Sequence, residues 1–231
     1  MSIVDTAWIS KEEAFRKRRY EKNIELDRTQ HGFQFTRKWF RDRNQITYST
    51  FFARRYRANR SYNHIQIGVF EGMDLAWLMQ NCFGHRKSRV VAMDPWLPNK
   101  KLTKEAMRAI RARAHNNLWP WAHKIKLFPQ KSVDVLPRLM DGITIRGKEI
   151  TPGKWNSAVI DGDHRGRTVY TDAVMVLELL KPGGWMLFDD VRMNKFAKGE
   201  VPHGLDYFLR RHGDRVKLIT AHRVCNIYEK L

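Results

Sequence analysis

A chain of 231 residues, 42% hydrophobic and 12% aromatic, can bury a sizeable core, which excludes a disordered polypeptide. Lys and Arg number 43 against 24 Asp and Glu, a net charge of +19. So strong a field attracts nucleic acid or another polyanion, phosphorylated substrates or anionic surfaces, but does not bear on the fold.

No apolar run approaches the roughly 18–20 residues of a membrane span. No signal peptide is evident at the N-terminus. Two cysteines, Cys82 and Cys225, cannot build a disulfide framework, so a reducing, cytoplasmic location is expected.

The pattern changes near residue 60, dividing the chain into a basic, aromatic-rich helical extension (1–60) and an α/β domain (61–231). The extension carries 15 Lys/Arg and seven Asp/Glu. Ser10 and Glu13 form a capping box for a helix reaching about Asp27. Phe33, Phe35, Trp39, Phe40, Tyr48, Phe51, Phe52 and Tyr56 then interleave with Arg37, Lys38, Arg41, Arg43, Arg54 and Arg55. Such a stretch either stacks nucleobases or docks a helical layer on the core, and docking is the favoured reading. A lid, a docking layer or a contact in a homo-oligomer is the expected role.

Beyond residue 62 strands and helices alternate. His64–Phe70 reads as a strand. The helix after Gly72 sets Leu75, Leu78, Met79 and Cys82 on one stripe. Arg89–Met93 is a second strand, followed by a basic helix over roughly Leu102–Asn117 with Lys104, Arg108, Arg111 and His115 on one face. Lys124–Phe128, a short helix at Val133–Met140 and the strand Trp155–Ile160 come next. The helix Thr168–Leu180 is stopped by Lys181-Pro182-Gly183-Gly184 ahead of the strand Trp185–Phe188. A helix near Gly204–Arg211 and two strands, Val216–Ala221 and Val224–Glu229, close the chain as an antiparallel hairpin. This order predicts a Rossmann-like, doubly wound, mostly parallel seven-stranded sheet with a C-terminal antiparallel hairpin. Its ligands would bind at the carboxyl ends of the strands.

Three segments put polar groups there. In Gln66-Ile67-Gly68-Val69-Phe70-Glu71-Gly72, two glycines four apart let backbone approach a ligand, and the free N–H groups of the helix start face it. Asp94, ahead of Pro95 and Trp96, suits a ribose diol, or else simply opens an Asp-Pro turn. Asp161-Gly162-Asp163-His164 and Asp189-Asp190 gather carboxylates that repel one another unless a cation intervenes. Oxygen ligands of this kind suit Mg²⁺, or Mn²⁺ or Ca²⁺. His164, three positions beyond Asp161, is a candidate proton acceptor.

With these motifs in this order, residues of about 62–231 resemble class I S-adenosylmethionine-dependent methyltransferases. The likeness is to the metal-dependent O-methyltransferases, the catechol O-methyltransferase-like and sugar O-methyltransferase-like enzymes. The resemblance implies S-adenosyl-L-methionine as cofactor, contacted by Gln66, Gly68, Val69, Phe70, Glu71 and Gly72, by Asp94, Pro95 and Trp96, and by Ser132, Val133 and Asp161. Ser132 lies in Lys131–Pro137, which resembles the family's adenine-side segment. The resemblance further implies a divalent metal, Mg²⁺ by preference, on Asp161, Asp189 and Asp190, with His164 and Asp161 as the catalytic pair. The acceptor would be a hydroxyl on a small molecule or sugar. A hydroxyl on RNA or another nucleic acid is the alternative, and a non-catalytic binding protein on the same fold the third. Gln66 departs from the family pattern, which has an acidic residue there.

Overall fold

The computed structural model describes residues 32–192 and 200–231; the helix expected between Ser10 and Asp27 lies outside them. The main sheet runs β3 (Ile125–Phe128), β2 (Arg89–Met93), β1 (Asn63–Ile67), β6 (Trp155–Ile160), β7 (Leu180–Phe188), β9 (Cys225–Lys230), β8 (Val216–His222). The first five in that order are parallel, while β9 pairs antiparallel with both β7 and β8. This is the doubly wound seven-stranded sheet with a terminal hairpin expected from the alternation of elements.

Successive residues of a strand point to opposite faces, and in the middle of the sheet both faces are covered. There β2 is nearly all apolar, whereas β1 buries Asn63, His64 and Gln66 beside its isoleucines. Val90 and Ala92 enter one core, whereas Val91 and Met93 enter the other. The first core is roofed by α1 (residues 40–55), α2 (Met73–Asn81) and α3 (Lys104–Leu118). The second is roofed by α4 (Ser132–Met140), α5 (Gly166–Leu179) and α6 (Glu200–His212). Leu75, Leu78, Met79 and Cys82 are all fully buried, as their helical spacing requires. Among the described residues no helix is long and apolar enough to cross a membrane.

The α1 segment is wound unusually. Its stretches Phe40–Asn44 and Tyr48–Phe52 are π-helical, with Gln45 N–H reaching back to Phe40 O and Ala53 N–H to Tyr48 O. Its aromatics lie in the first core, where Phe40 and Tyr48 meet Trp77, and Phe52 and Tyr56 meet Trp185. The arginines stay outside: Arg55 lies over the Trp185 ring and donates to Gly183 O. Aromatic–aromatic packing, not an open stacking platform, is what this stretch does in the fold.

Two features went unforeseen. A small separate hairpin, β4 (Ile143–Ile145) and β5 (Lys148–Ile150), turns through Arg146 and Gly147, both at positive φ, the conformation of a two-residue hairpin turn. Arg-Gly lacks the Asn or Asp that signals such a turn in sequence. The Lys-Pro-Gly-Gly segment does not end before β7 but belongs to it. Trp155 pairs with Leu180 and Ser157 with Trp185, so residues 181–184 form a bulge inside the strand.

Candidate active site

The chain direction across the sheet reverses at β1, whose neighbours are β2 and β6. Such a switch point opens a crevice at the strand ends. Gly68 follows β1 there, at φ +85°, and a Cβ on it would lie 1.9 Å from the Asp161 carbonyl oxygen. Gly72, at φ +78°, lies against the Leu118 side chain. These glycines therefore permit close approach of the protein's own backbone and side chains.

Between them, Phe70 occupies the left-handed region at φ 51°, an uncommon conformation for a bulky residue. Asp94 stabilises this turn: one carboxylate oxygen accepts the Val69 and Phe70 N–H groups at 3.0 and 2.9 Å, and the other accepts Trp96 N–H at 2.8 Å. The Trp96 indole N–H completes the clasp on Phe70 O. Glu71 is tied differently. Burial alone would raise its pKa, but hydrogen bonds from Thr36 and the ion pair with Arg113, 2.7 Å away, hold it below the usual carboxylate range.

The acidic strand ends stand beside this turn. Asp161 follows β6, and Asp189 and Asp190 follow β7. His164 Nε2 lies 3.5 Å from Asp190 Oδ2 and 3.8 Å from Asp161 Oδ1. Ligand atoms of Asp161, His164 and Asp190 all fall within 4.8 Å of one another, the separation a single cation can bridge. Asp189 is oriented otherwise. It is buried and accepts hydrogen bonds from the Asn44 amide, the Cys225 thiol and the Asp190 N–H. Burial, then the charges of Asp189 and Asp190, hold the Asp161 carboxyl well above its usual range; burial and Asp190 raise Asp189 as well.

One cavity of about 410 Å³ joins these parts. Of the residues singled out by sequence, Gly68, Val69, Phe70, Glu71, Asp94, Asp161, His164, Asp189 and Asp190 line it. Gln66, Gly72, Pro95, Trp96, Ser132 and Val133 do not. Gln66 and Trp96 are spent on internal hydrogen bonds behind the wall, Ser132 is buried, and Val133 is exposed. The structure adds Arg37, Trp39, Phe40, Arg43 and Asn44 from the N-terminal side, and Asp74 from α2. The arginine-aromatic stretch was visible in sequence. The alliance of Asn44 with Asp189, 145 residues apart, left no local signal.

A family model described as a methyltransferase domain matches residues 65–191, more than half of the chain. The chain belongs to the methyltransferase-domain family.

Among solved structures this methyltransferase is similar to an O-methyltransferase from Bacillus cereus in complex with SAH, at 16% identity and a TM-score of 0.57, with 80% of each chain covered. It is similar also to an O-methyltransferase from Streptomyces achromogenes involved in tomaymycin synthesis, in complex with SAM (15% identity, TM-score 0.56, 80% of each chain). A candidate rRNA methylase from Clostridium thermocellum aligns at 15% identity and a TM-score of 0.55, over 81% of this chain and 98% of that one. At such identities the likeness establishes the fold. The comparison with curated proteins finds no match.

Proposed function

We propose that this methyltransferase transfers a methyl group from S-adenosylmethionine to a hydroxyl oxygen with the help of a divalent cation. The observation carrying this reading is that Asp161, His164 and Asp190 converge at two adjacent strand ends, in the cavity lined by the Gly68–Glu71 turn. The cofactor fits the observed surroundings: a concave site of suitable volume at the switch point, bounded by a glycine turn and the start of α2. A cation also fits, because burial and then the neighbouring carboxylates raise the Asp161 and Asp189 carboxyls, and positive charge would offset both effects.

When bound, the cofactor supplies an electrophilic methyl group and the cation supplies Lewis acidity toward the acceptor hydroxyl. Asp161 and Asp190 would hold the cation, and Asp189 would support them from behind, where Asn44 and Cys225 donate to it. His164, 40% exposed, is open to the cavity and takes the hydroxyl proton as a general base. Trp39 and Phe70, stacked 5.1 Å apart between ring centroids, give the cavity an apolar wall.

The test combines methyl-labelled S-adenosylmethionine, Mg²⁺ and a panel of hydroxyl acceptors with a direct Mn²⁺ binding measurement. Asp161→Ala and Asp190→Ala should lose both Mn²⁺ binding and transfer. Full transfer in excess chelator would remove the cation from the reading.

A second reading, in which the hydroxyl belongs to RNA, draws on the basic face of α3. Lys104, Arg108, Arg111 and His115 are all exposed, and Leu102 and Met107 beside them line the cavity. Phosphate contacts along this face would make RNA binding fall steeply with salt. Binding insensitive to salt would dismiss this second reading.

A further inference from the structure

One carboxylate on the cavity wall has no task in the reading above. Asp74 stands in the first turn of α2, and among the described residues no cationic side chain forms an ion pair with it. Its Oδ2 accepts a hydrogen bond of 2.6 Å from Gln66 Nε2. The same amide nitrogen donates to Gly68 O at 2.9 Å, so both of its hydrogens are used.

The orientation of Gln66 is set from behind. His64 Nε2 lies 3.2 Å from Gln66 Oε1, and His64 Nδ1 lies 2.8 Å from Ser157 Oγ. The imidazole is fully buried, and that burial lowers its pKa to about 4, so it is neutral. With one ring N–H it donates to Gln66 Oε1 and accepts from the Ser157 hydroxyl. Reversing the Gln66 amide would set its oxygen against both the Gly68 carbonyl and the Asp74 carboxylate, whichever tautomer His64 adopted. The relay Ser157–His64–Gln66–Asp74 therefore has one arrangement. In it, position 66 turns no acceptor toward the cavity, whereas position 74 presents a carboxyl group there.

We infer that Asp74 receives the ammonium group at the amino-acid end of the cofactor, with Gln66 as its positioning residue. This rests on the methyltransferase reading and moves the acid eight residues along, from the end of β1 to the first turn of α2. Burial raises the Asp74 carboxyl to about 7, with the Asp189 charge adding to the effect. An ammonium group arriving beside it offsets that cost.

The experiment is calorimetric titration of the full chain with two probes: S-adenosylhomocysteine, and its analogue in which hydrogen replaces the α-amino group. A charge-assisted hydrogen bond is worth roughly ten- to a hundredfold in affinity. The wild type should therefore bind the analogue more weakly by about that factor. Asp74→Asn should weaken S-adenosylhomocysteine by a similar factor and bind the two probes alike. Asp74→Ser serves as a second variant if the first disturbs folding.

Equal binding of both probes by the wild type would overturn the assignment, as would full discrimination retained by either variant. Failure of the wild type to bind S-adenosylhomocysteine at all would instead overturn the methyltransferase reading, so the two failures are distinguishable.

Discussion

Replacing Gly68 by Ala tests how the crevice is held open. An L-residue at φ +85° costs about 1–2 kcal/mol from backbone strain alone. The new Cβ would also lie 1.9 Å from the Asp161 carbonyl oxygen, where ordinary contacts lie beyond 3.4 Å. Relieving that overlap means displacing the end of β1 or β6 by more than an ångström, and overpacking of this kind costs about 1–3 kcal/mol. The sum is about 2–5 kcal/mol.

Gly72→Ala is the control. It carries comparable strain at φ +78°, but its Cβ meets only the Leu118 side chain, at 3.1–3.3 Å, which can give way. It should cost about 1–2 kcal/mol. Urea unfolding of the two variants measures the difference, and calorimetry with S-adenosylhomocysteine reads the site, which Gly68→Ala should disable and Gly72→Ala weaken only mildly. Equal losses in the two variants would refute the argument that β1 and β6 meet through backbone at this point.

Two further outcomes follow from buried polar groups. Burial lifts the Asp172 carboxyl from 3.8 to about 7, so between those values the native state keeps a proton that the unfolded chain releases, and stability falls as pH rises. Asp172→Asn removes that slope; its stability relative to wild type should rise by about 2–3 kcal/mol from pH 5 to pH 8, and a difference flat with pH in urea unfolding would contradict this. Asn44→Ala deprives the buried Asp189 of a donor and should cost about 1–3 kcal/mol in thermal or urea unfolding, whereas Cys225→Ser, which keeps a donor, should cost far less.

The strand ends were legible because their chemistry is local. Gly68, Asp94, Asp161 and the Asp189-Asp190 pair each follow a strand at the point where a parallel sheet exposes its carboxyl edge. The roles of some neighbours were not legible, because they depend on partners distant in sequence. Asp189 and Asp190 are adjacent and chemically identical, yet Asn44 and Cys225 draw the first inward while the second faces His164. Ser132 sits in the expected segment but is buried and does not line the cavity. Asp74 carried no motif of its own, and it matters only because the His64–Gln66 relay ends on it. The β4–β5 hairpin escaped notice because its turn uses Arg146 in a conformation usually taken by Asn, Asp or Gly.

The bulge at residues 181–184 bears on how this site tolerates change in length. Pairing from Ser157–Trp185 to Ile160–Phe188 sets which way Asp189 and Asp190 face, independently of the chain upstream. A residue lost or gained within 181–184 changes only the slack between α5 and that paired run. The same change within 185–188 would turn every following side chain to the opposite face and carry Asp190 away from Asp161. The bulge thus works as an expansion joint: helix α5 can vary in length or position while the acidic strand ends keep their register.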